Sequence, residues 1–346
     1  MKALVLGCGS IGLRHIGHLR RLGFADADIA VADPSPAARE RAKTQQGITV
    51  EQDPERALDR RPDVVLVCTP AATHVPLTLK ALDAGAHVFV EKPLSTSLEG
   101  LDALTAKVRA TGRVVQVGYQ LRYHPAMRET KAVLDAGRLG PVLAARAEFG
   151  LYLPKWWPGR DYRRSYMVNP EEGGGLLLDV SHEIDLMMWF LGPVQEVVGY
   201  SAKHSALEIH GVDLITVLLK MAGGALVYLH IDCLQPTYTR GYRLIGAGTA
   251  LHWDCLRGRA DRSVGRLQIY EASRDRFERV RVPGRARDAF VEELRDFISA
   301  VTHRRPSLVG VADGIEVLRV VQAIHEAVQT GRSVQVSGRT AEARVC

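Results

Sequence analysis

Asp179, His182 and Asp185 could supply acid–base chemistry from one face of a helix. Helical spacing predicts a single helix from about Leu176 to Leu191, on which the three are spread over about a third of a turn. Histidine suits proton transfer because its unperturbed pKa lies near neutrality, and the glycines at 173–175 leave room for a ligand. The opposite face is expected to pack on a core and carries Val180, Ile184, Met187 and Leu191. The alternative is that the polar residues are only the solvated side of an amphipathic helix.

A glycine-rich motif near the start of the chain has the pattern that binds dinucleotide phosphates. Gly7-Cys8-Gly9-Ser10-Ile11-Gly12 follows an apolar strand candidate and opens a helix candidate. In this pattern Gly7 permits a tight turn, Gly9 lets backbone approach a pyrophosphate, and Gly12 brings helix and strand close. The free N–H groups at the helix N-terminus favour the phosphates. The alternative is a glycine turn that binds no nucleotide.

Asp33 indicates which dinucleotide fits. It ends the second strand candidate, 21 residues after Gly12, and its carboxylate can accept both ribose hydroxyls while repelling a 2′-phosphate. The sequence therefore predicts NAD, with NADP left open because Arg39 is near in the chain. The alternative role for Asp33 is to cap the helix that begins near Pro36.

Polar residues also follow the third and fourth strand candidates. Thr69, Pro70 and His74 come after Val64–Val67, and Glu91-Lys92-Pro93 comes after His87–Val90. Open parallel sheets bind ligands beyond the carboxyl ends of their strands, so both groups are expected at the cofactor crevice. Lys92 is then placed for hydrogen bonding or acid–base work beside a nicotinamide. The alternative is a surface lysine paired with Glu91.

These motifs together resemble a known family. The glycine motif, Thr69-Pro70 with His74, Glu91-Lys92-Pro93, the run at 118–125 and the segment at 173–185 occur in an order that is similar to the Gfo/Idh/MocA oxidoreductases, which include glucose–fructose oxidoreductase and inositol dehydrogenase. The resemblance runs over nearly the whole chain. It implies that Lys92 and His182 form the catalytic pair. It also implies that the nicotinamide half of the site is lined by Thr69, Pro70, His74, Glu91, Lys92 and Gln120.

One position departs from the family pattern. Inositol-dehydrogenase-like members have an aspartate four residues before the catalytic histidine, where this chain has Leu178. Asp179 lies three residues before His182 and is the candidate substitute. We include it with the predicted catalytic residues.

A loop rich in aromatic residues and arginine, at 152–164, precedes the glycines of the second motif. Aromatic faces stack on sugar C–H surfaces, and arginine binds carboxylate or phosphate. We expect a substrate wall or lid here, and the alternative is an oligomer contact. The predicted substrate contacts are Arg122, Tyr123, Tyr162, Arg163 and Asp185.

The order of elements predicts an α/β fold class with two domains. Up to about residue 120, short apolar strands alternate with helices, which predicts a Rossmann domain with a doubly wound parallel sheet. Later strands follow one another with few helices between them, which predicts an α+β domain on a large, mostly antiparallel open sheet. We divide the chain into a dinucleotide-binding domain, 1–121, and a substrate-binding and oligomerisation domain, 122–346. The large open sheet favours a homodimer or homotetramer.

Charge and cysteine usage disfavour several other classes. The net charge is +6, with 45 basic residues interleaved with 39 acidic ones, so nucleic acid is not an expected partner. No apolar run is long enough to cross a membrane. Five scattered cysteines predict free thiols in a reducing cytoplasm. No metal is predicted, because His15 with His18 and the run 252–255 lack the other ligands of a zinc site.

The sequence therefore predicts a cytoplasmic NAD-dependent oxidoreductase. It would move a hydride between nicotinamide and a secondary alcohol or ketone of a sugar, cyclitol or sugar derivative. His182 would take or return the hydroxyl proton, and Lys92 would stabilise negative charge on the same oxygen. Three alternatives stay open: an NAD-dependent glycosidase of the same fold without net redox change, a non-catalytic NAD-binding regulator, and a reductase of a tetrapyrrole or imine.

Overall fold

The computed structural model describes residues 1–48, 50–156, 158–168, 174–255 and 263–336. The predicted features at Trp157, at Gly173 and in the tail from Gly338 lie outside the described residues. The chain folds into two compact units, one of Met1–Gln120 with Phe290–Ile315 and one of Leu121–Ala289 with the residues from Glu316 onward. The division predicted at residue 121 lies within one residue of the first boundary. The predicted division places Phe290–Ile315 in the second domain, whereas these residues belong to the first unit.

The first unit is built on short apolar strands that all run parallel. The strands are β1 (Ala3–Leu6), β2 (Ile29–Ala32), β3 (Val64–Val67), β4 (His87–Glu91) and β5 (Val115–Gly118), in the order β2-β1-β3-β4-β5. The helices of this part of the chain are α1 (Ser10–Arg21), α2 (Pro36–Gln46), α3 (Pro54–Leu58), α4 (His74–Asp83) and α5 (Leu101–Thr111). The predicted parallel Rossmann sheet is confirmed. Helix α3 was not predicted, although Asp53, which caps it, and Pro54 at its first position are helix-start signals.

The second unit contains the large sheet. Its first elements are α6 (Pro125–Asp135), β6 (Val142–Gly150), α7 (Leu176–Asp179) and α8 (His182–Leu191). The further strands are β7 (Val194–Ala202), β8 (Leu214–Met221), β9 (Leu226–Asp232), β10 (Thr239–Gly246), β11 (Thr249–Asp254), β12 (Arg266–Glu271), β13 (Arg276–Arg279) and β14 (Val334–Gln335). The strand order is β13-β12-β11-β10-β6-β9-β8-β7-β14. Because β6 and β9 pair in parallel and the other described pairs are antiparallel, the predicted mostly antiparallel sheet is confirmed.

The predicted helix from Leu176 to Leu191 is wrong in one respect. It is two helices, because α7 ends at Asp179 and α8 begins at His182. Asp179 therefore does not share one continuous helix face with His182 and Asp185.

Strands β11, β13 and β14 were also not predicted. Every residue of β13 is exposed, so it lacks the alternation of buried and exposed side chains that marks a half-buried strand.

The two faces of the large sheet differ in exposure. Along β8, Ile215, Val217 and Leu219 are buried, whereas Leu218 between them is 46% exposed. Leu226 is 51% exposed and Tyr200 is 75% exposed on the same outer face, since Leu226 pairs with Lys220 and Tyr200 with Thr216. The outer face therefore presents large apolar side chains to solvent.

Helix α9 (Ala289–His303) belongs, apart from its first residue, to the first unit. Its Leu294 and Phe297 are fully buried in the core of the parallel sheet, and the Phe297 ring lies 6.0 Å from that of Phe89. The apolar face of α9 thus covers strands that precede it by some 200 residues in the chain. Helix α10 (Val311–Thr330) follows it and is the last helix of the described residues.

Candidate functional site

The glycines of the loop differ in the space around them: a side chain would have room at Gly9 but would collide with backbone at Gly7 and Gly12. Gly7 has a φ of +95°, and a Cβ there would lie 2.6 Å from the carbonyl oxygen of Cys68. A Cβ at Gly12 would lie 2.0 Å from the carbonyl oxygen of Gly7. Gly9, in contrast, is exposed, and a Cβ there would meet nothing within 4 Å. Gly7 and Gly12 are therefore required by packing, whereas the space beside Gly9 is available to a ligand.

Helix α1 begins directly after this loop, at Ser10, with Gly9 as its N-cap. No side chain caps its N-terminus, and its first turn carries no acidic residue. The positive end of the helix dipole therefore meets no protein anion in that turn, as a phosphate site requires. The predicted positions Ser10 and Ile11 form the first helical residues, Ser10 exposed and Ile11 half-buried.

Asp33 lies against the glycine loop. One of its carboxylate oxygens accepts a hydrogen bond from the backbone N–H of Cys8 at 2.6 Å, and the other accepts from the N–H of Ser35 at 2.8 Å. Ser35, not Asp33, caps α2, because its hydroxyl accepts from the N–H of Ala38. Arg39 donates to the carbonyl oxygens of Asp33 and Pro34. These contacts fix the Asp33 carboxylate beside the loop, where a ribose would follow the phosphates.

The strand-end residues divide into exposed and buried ones. Pro70 is exposed, and Thr69, Lys92 and Gln120 are half-buried at or just after the carboxyl ends of β3, β4 and β5. His74 and Glu91 are buried. The parallel sheet thus brings the predicted cofactor residues to one edge of the first unit, with two of them beneath its surface.

The buried His74 joins two strand ends. Its Nδ1 lies 2.7 Å from the carbonyl oxygen of Pro93, and its Nε2 lies 2.8 Å from that of Thr69. Burial lowers the pKa of His74, while these two carbonyl contacts oppose that shift. Its role within the first unit is to hold the segment after β3 against the segment after β4.

His182 lies at the first residue of α8 and is 6% exposed. The helix is buried around most of its circumference, including Glu183 and Asp185. The alternative interpretation, in which these polar residues are only the solvated side of an amphipathic helix, is therefore wrong. Its charges are compensated internally, since Arg240 donates to Glu183 at 2.6 Å and Arg122 donates to Asp185 at 2.6 Å.

The predicted substrate residues of the second unit lie in two environments. Arg122 and Asp185 are buried against each other, and Tyr123 is buried with the guanidinium of Arg128 over its ring. Tyr162 and Arg163 lie at the surface, where both contact Glu208: its N–H donates to the Tyr162 hydroxyl, and Arg163 lies 3.2 Å from its carboxylate. The structure therefore does not bring these five side chains together on one open surface. Asp179 is half-buried at the end of α7.

The loop predicted as a substrate wall lies at the carboxyl ends of the parallel strands β6 and β9. Backbone N–H groups of Tyr152 and Leu153 donate to the carbonyls of Gln235 and Cys233, which follow β9. Asp232 organises this second segment by accepting from the N–H groups of Leu234 and Gln235. The sequence analysis did not identify Asp232 or His230, whose Nε2 lies 3.0 Å from the Asp232 carboxylate. The available signal was that Asp232 is the last residue of a strand.

His15, His18 and the four described cysteines, which the sequence does not assign to a metal site, are buried. His15 is hydrogen bonded to Glu91, and His18 stacks on Phe290. Within the described part of the chain no group of three or more His, Cys, Asp or Glu side chains could hold a metal ion. The four described cysteines are free buried thiols, and burial raises the pKa of Cys8 to about 12. Among the described helices, none is long and apolar enough to cross a membrane.

Comparison with known proteins covers nearly the whole chain. Residues 1–119 match the family model described as oxidoreductase family, NAD-binding Rossmann fold, and residues 131–336 match the one described as oxidoreductase family, C-terminal alpha/beta domain. A scyllo-inositol 2-dehydrogenase (NAD(+)) of Bacillus subtilis is 27% identical over 99% of this chain and 98% of its own length. Inositol 2-dehydrogenase 4 of Saccharopolyspora erythraea is 32% identical over 66% of this chain and 65% of its own length.

Solved structures share the fold. Levoglucosan dehydrogenase in complex with NADH superposes with a TM-score of 0.83 at 20% identity, covering 98% of this chain and all of that one. An oxidoreductase domain protein from Kribbella flavida gives a TM-score of 0.84 at 22% identity, covering 98% and 99% of the two chains.

Proposed function

Because the chain belongs to the Gfo/Idh/MocA oxidoreductase family, we propose that it is an NAD-dependent dehydrogenase of a sugar, cyclitol or sugar derivative. The glycine loop is the observation that supports NAD as the cofactor. There is room for a ligand beside Gly9 but not beside Gly7 or Gly12, and the Asp33 carboxylate is hydrogen bonded to the backbone of the loop. The uncapped N-terminus of α1 fits a pyrophosphate, and Asp33 fits an unphosphorylated ribose.

Lys92 and His182 are the residues to which we assign the acid–base work. When bound, NAD supplies a nicotinamide carbon that exchanges a hydride with the substrate. His182 takes the proton of the hydroxyl that becomes a carbonyl, and Lys92 donates a hydrogen bond to the same oxygen. The half-buried position of Lys92 after β4 and the low exposure of His182 support these assignments, because limited solvation strengthens electrostatic effects. Asp179 is proposed as an acidic partner of this pair.

The substrate class rests on the relatives and on the surface loop. Proteins named inositol 2-dehydrogenase and 1,5-anhydro-D-fructose reductase are among the similar sequences. The segment at 152–164 supplies Tyr162 and Arg163 at the surface of the second unit. Aromatic and guanidinium groups together suit a polyhydroxylated ligand. We keep Tyr162 and Arg163 as substrate contacts and give the buried Arg122, Tyr123 and Asp185 a positioning role.

The test is a screen of cyclitols, aldoses and anhydrosugars for NADH formation, with Lys92→Met and His182→Asn as variants. Each variant is expected to lower kcat by about a hundredfold or more, while the Kd for NADH, from fluorescence titration, stays within about threefold because neither change touches the phosphate or ribose contacts. Turnover that survives both changes would refute the residue assignment. Cleavage of an aryl glycoside without net NADH would identify the glycosidase instead.

For the assembly, we propose a homodimer or homotetramer formed through the outer face of the large sheet. The exposed Tyr200, Leu218 and Leu226 support a second copy as the partner, since an apolar sheet face of this breadth is a feature of interfaces. Light scattering of the protein and of its Leu218→Asp variant tests this: a smaller particle is expected for the variant. A wild-type monomer would contradict it. For the location, we propose the cytoplasm, which is what the five scattered cysteines of the sequence lead us to expect.

A further inference from the structure

Two buried histidines contact the residues on either side of Lys92. Glu91 is the last residue of β4, Lys92 follows it half-buried, and Pro93 is buried again. His15 comes from α1 and His74 from α4, both within the first unit. The proposed reaction gives neither histidine a task.

His15 holds the residue before Lys92. Its ring is fully buried, and its Nε2 lies 2.7 Å from one carboxylate oxygen of Glu91. The other oxygen of Glu91 lies 3.3 Å from the backbone N–H of Lys92 and accepts from it. Gly118 on the neighbouring β5 leaves the room for this carboxylate, because a Cβ there would lie 3.1 Å from Glu91 Oε2. A chain of hydrogen bonds therefore runs from α1 to the Lys92 backbone.

His74 holds the residue after Lys92. Its Nδ1 contact to the Pro93 carbonyl fixes the end of the segment, and its Nε2 contact ties that segment to Thr69. The ring is 1% exposed, so the surrounding packing fixes its position. Both ends of the three-residue segment are thus set by side chains from other elements.

We propose that His15 and His74 are positioning residues that fix the Glu91–Pro93 segment and so direct the amine of Lys92. This rests on the proposed function for the catalytic consequence, but the positioning itself is a property of the first unit alone. His15 also lies on the helix that starts at the glycine loop, so one rigid element sets both the phosphate site and the Lys92 segment. Supporting residues of this kind hold a reactive group in its productive orientation.

His18 provides a matched control for His15. It lies one turn further along α1, is also buried, and stacks on Phe290 instead of contacting Glu91. A variant of His18 therefore loses a buried imidazole from the same helix, and with it a ring contact to His15 at 5.5 Å, but it removes no hydrogen bond to Glu91 or Pro93. A purely structural contribution of His15 predicts that both substitutions act alike.

The first measurement follows the amine of Lys92 directly and needs no substrate. The protein is labelled with trace acetic anhydride, and peptide mass spectrometry gives the rate at Lys92 relative to Lys43, an exposed lysine of α2 in the same unit. His15→Leu and His74→Gln are expected to change this ratio by about threefold or more, because amine reactivity follows its local environment, whereas His18→Leu leaves it unchanged. An unchanged ratio in His15→Leu and His74→Gln overturns the proposal.

Conservative variants keep the test decisive if His15→Leu does not fold. A glutamine at position 15 can place an amide near the Nε2 position, so His15→Gln is expected to retain the wild-type ratio. An asparagine at position 74 reaches the Nδ1 position and keeps the Pro93 contact, whereas a glutamine reaches the Nε2 position and keeps the Thr69 contact. His74→Asn is therefore expected to remain closer to wild type than His74→Gln. Equal behaviour of these two variants would contradict the role given to the Pro93 contact.

Measurements of turnover then distinguish a failure of this inference from a failure of the proposed function. With an active substrate, His15→Leu is expected to lower kcat by about 10- to 100-fold, with the Kd for NADH nearly unchanged. In a Lys92→Met background the same substitution is expected to add little, because its effect passes through Lys92. An altered labelling ratio with unaltered turnover would leave the positioning role standing and refute the catalytic role of Lys92.

Discussion

Arg122 and Asp185 form an ion pair inside the second unit, with Nε of Arg122 3.0 Å and Nη2 2.6 Å from the same carboxylate oxygen. Both residues are buried. The pair ties the chain just before α6 to the first turn of α8, three residues after His182. Because the carboxylate and the guanidinium satisfy each other, this contact fixes the start of the helix that carries His182.

Removing the charge of Asp185 is expected to destabilise the second unit. Asp185→Asn leaves the Arg122 guanidinium buried beside a neutral amide, and loss of one partner of a buried pair costs about 3–5 kcal/mol. Urea unfolding followed by circular dichroism measures the change. Asp161→Asn is the control, because Asp161 pairs with Arg163 at the surface and its loss should leave the unfolding midpoint unchanged. An unchanged midpoint in Asp185→Asn together with a raised KM would instead support the substrate role predicted from the sequence.

Alanine substitutions at two glycines of the same loop are expected to differ in effect: Gly12→Ala should lower stability, and Gly9→Ala should lower the affinity for NADH. In Gly12→Ala the new Cβ collides with the carbonyl oxygen of Gly7, so the free energy of unfolding should fall by about 1–3 kcal/mol. In Gly9→Ala the methyl group meets no protein atom, so stability should be retained while NADH binding weakens by about tenfold or more.

Thermal unfolding and fluorescence titration with NADH distinguish the two glycine variants. A Gly9→Ala protein that binds NADH as tightly as wild type would show that the open space beside Gly9 is not the phosphate site. A Gly12→Ala protein with wild-type stability would show that helix and loop can separate without loss.

Asp33 is expected to set the preference between NADH and NADPH. The Asp33→Asn amide keeps an acceptor for one of the two backbone N–H groups but removes the charge that opposes a 2′-phosphate. Two charges about 4 Å apart interact by about 1–4 kcal/mol near a protein surface, so the ratio of the two Kd values should shift toward NADPH by about tenfold or more. Glu40→Gln, an acidic change on the exposed part of α2, is the control. A ratio that does not move would contradict ribose recognition by Asp33.

The elements that the sequence predicts well are those with local signals. Val64–Val67 is a continuous apolar run and is a fully buried strand, as parallel sheets require. The glycine motif likewise carries its geometry locally, because the φ of Gly7 and the packing of Gly12 depend on a few neighbouring residues. Such features follow from periodicity and residue type alone.

Other features depend on partners far away in the chain. The break between α7 and α8 leaves the apolar spacing at 176–191 intact, so periodicity could not reveal it. Arg122 and Asp185 were predicted as substrate contacts, yet each is buried against the other, a partner 63 residues away that no local pattern reveals. His15 was considered only as a metal ligand, since nothing local indicates that Glu91 lies beside it.

His18 is expected to make the first unit sensitive to acid. Burial is the largest cause that lowers the pKa of His18, from 6.5 to about 3, and the neighbouring His15 and Arg14 add to it. Between these two values the unfolded chain binds a proton that the folded chain does not, so stability falls as the pH drops below about 6.5. From pH 8 to pH 5 this single group should remove about 2 kcal/mol from the free energy of unfolding. His18→Leu keeps an apolar side chain against Phe290 and cannot titrate, so its loss of stability over the same range should be smaller by that amount. Urea unfolding at the two pH values measures the difference, and an equal loss in wild type and variant would mean that His18 is readily protonated in the folded protein.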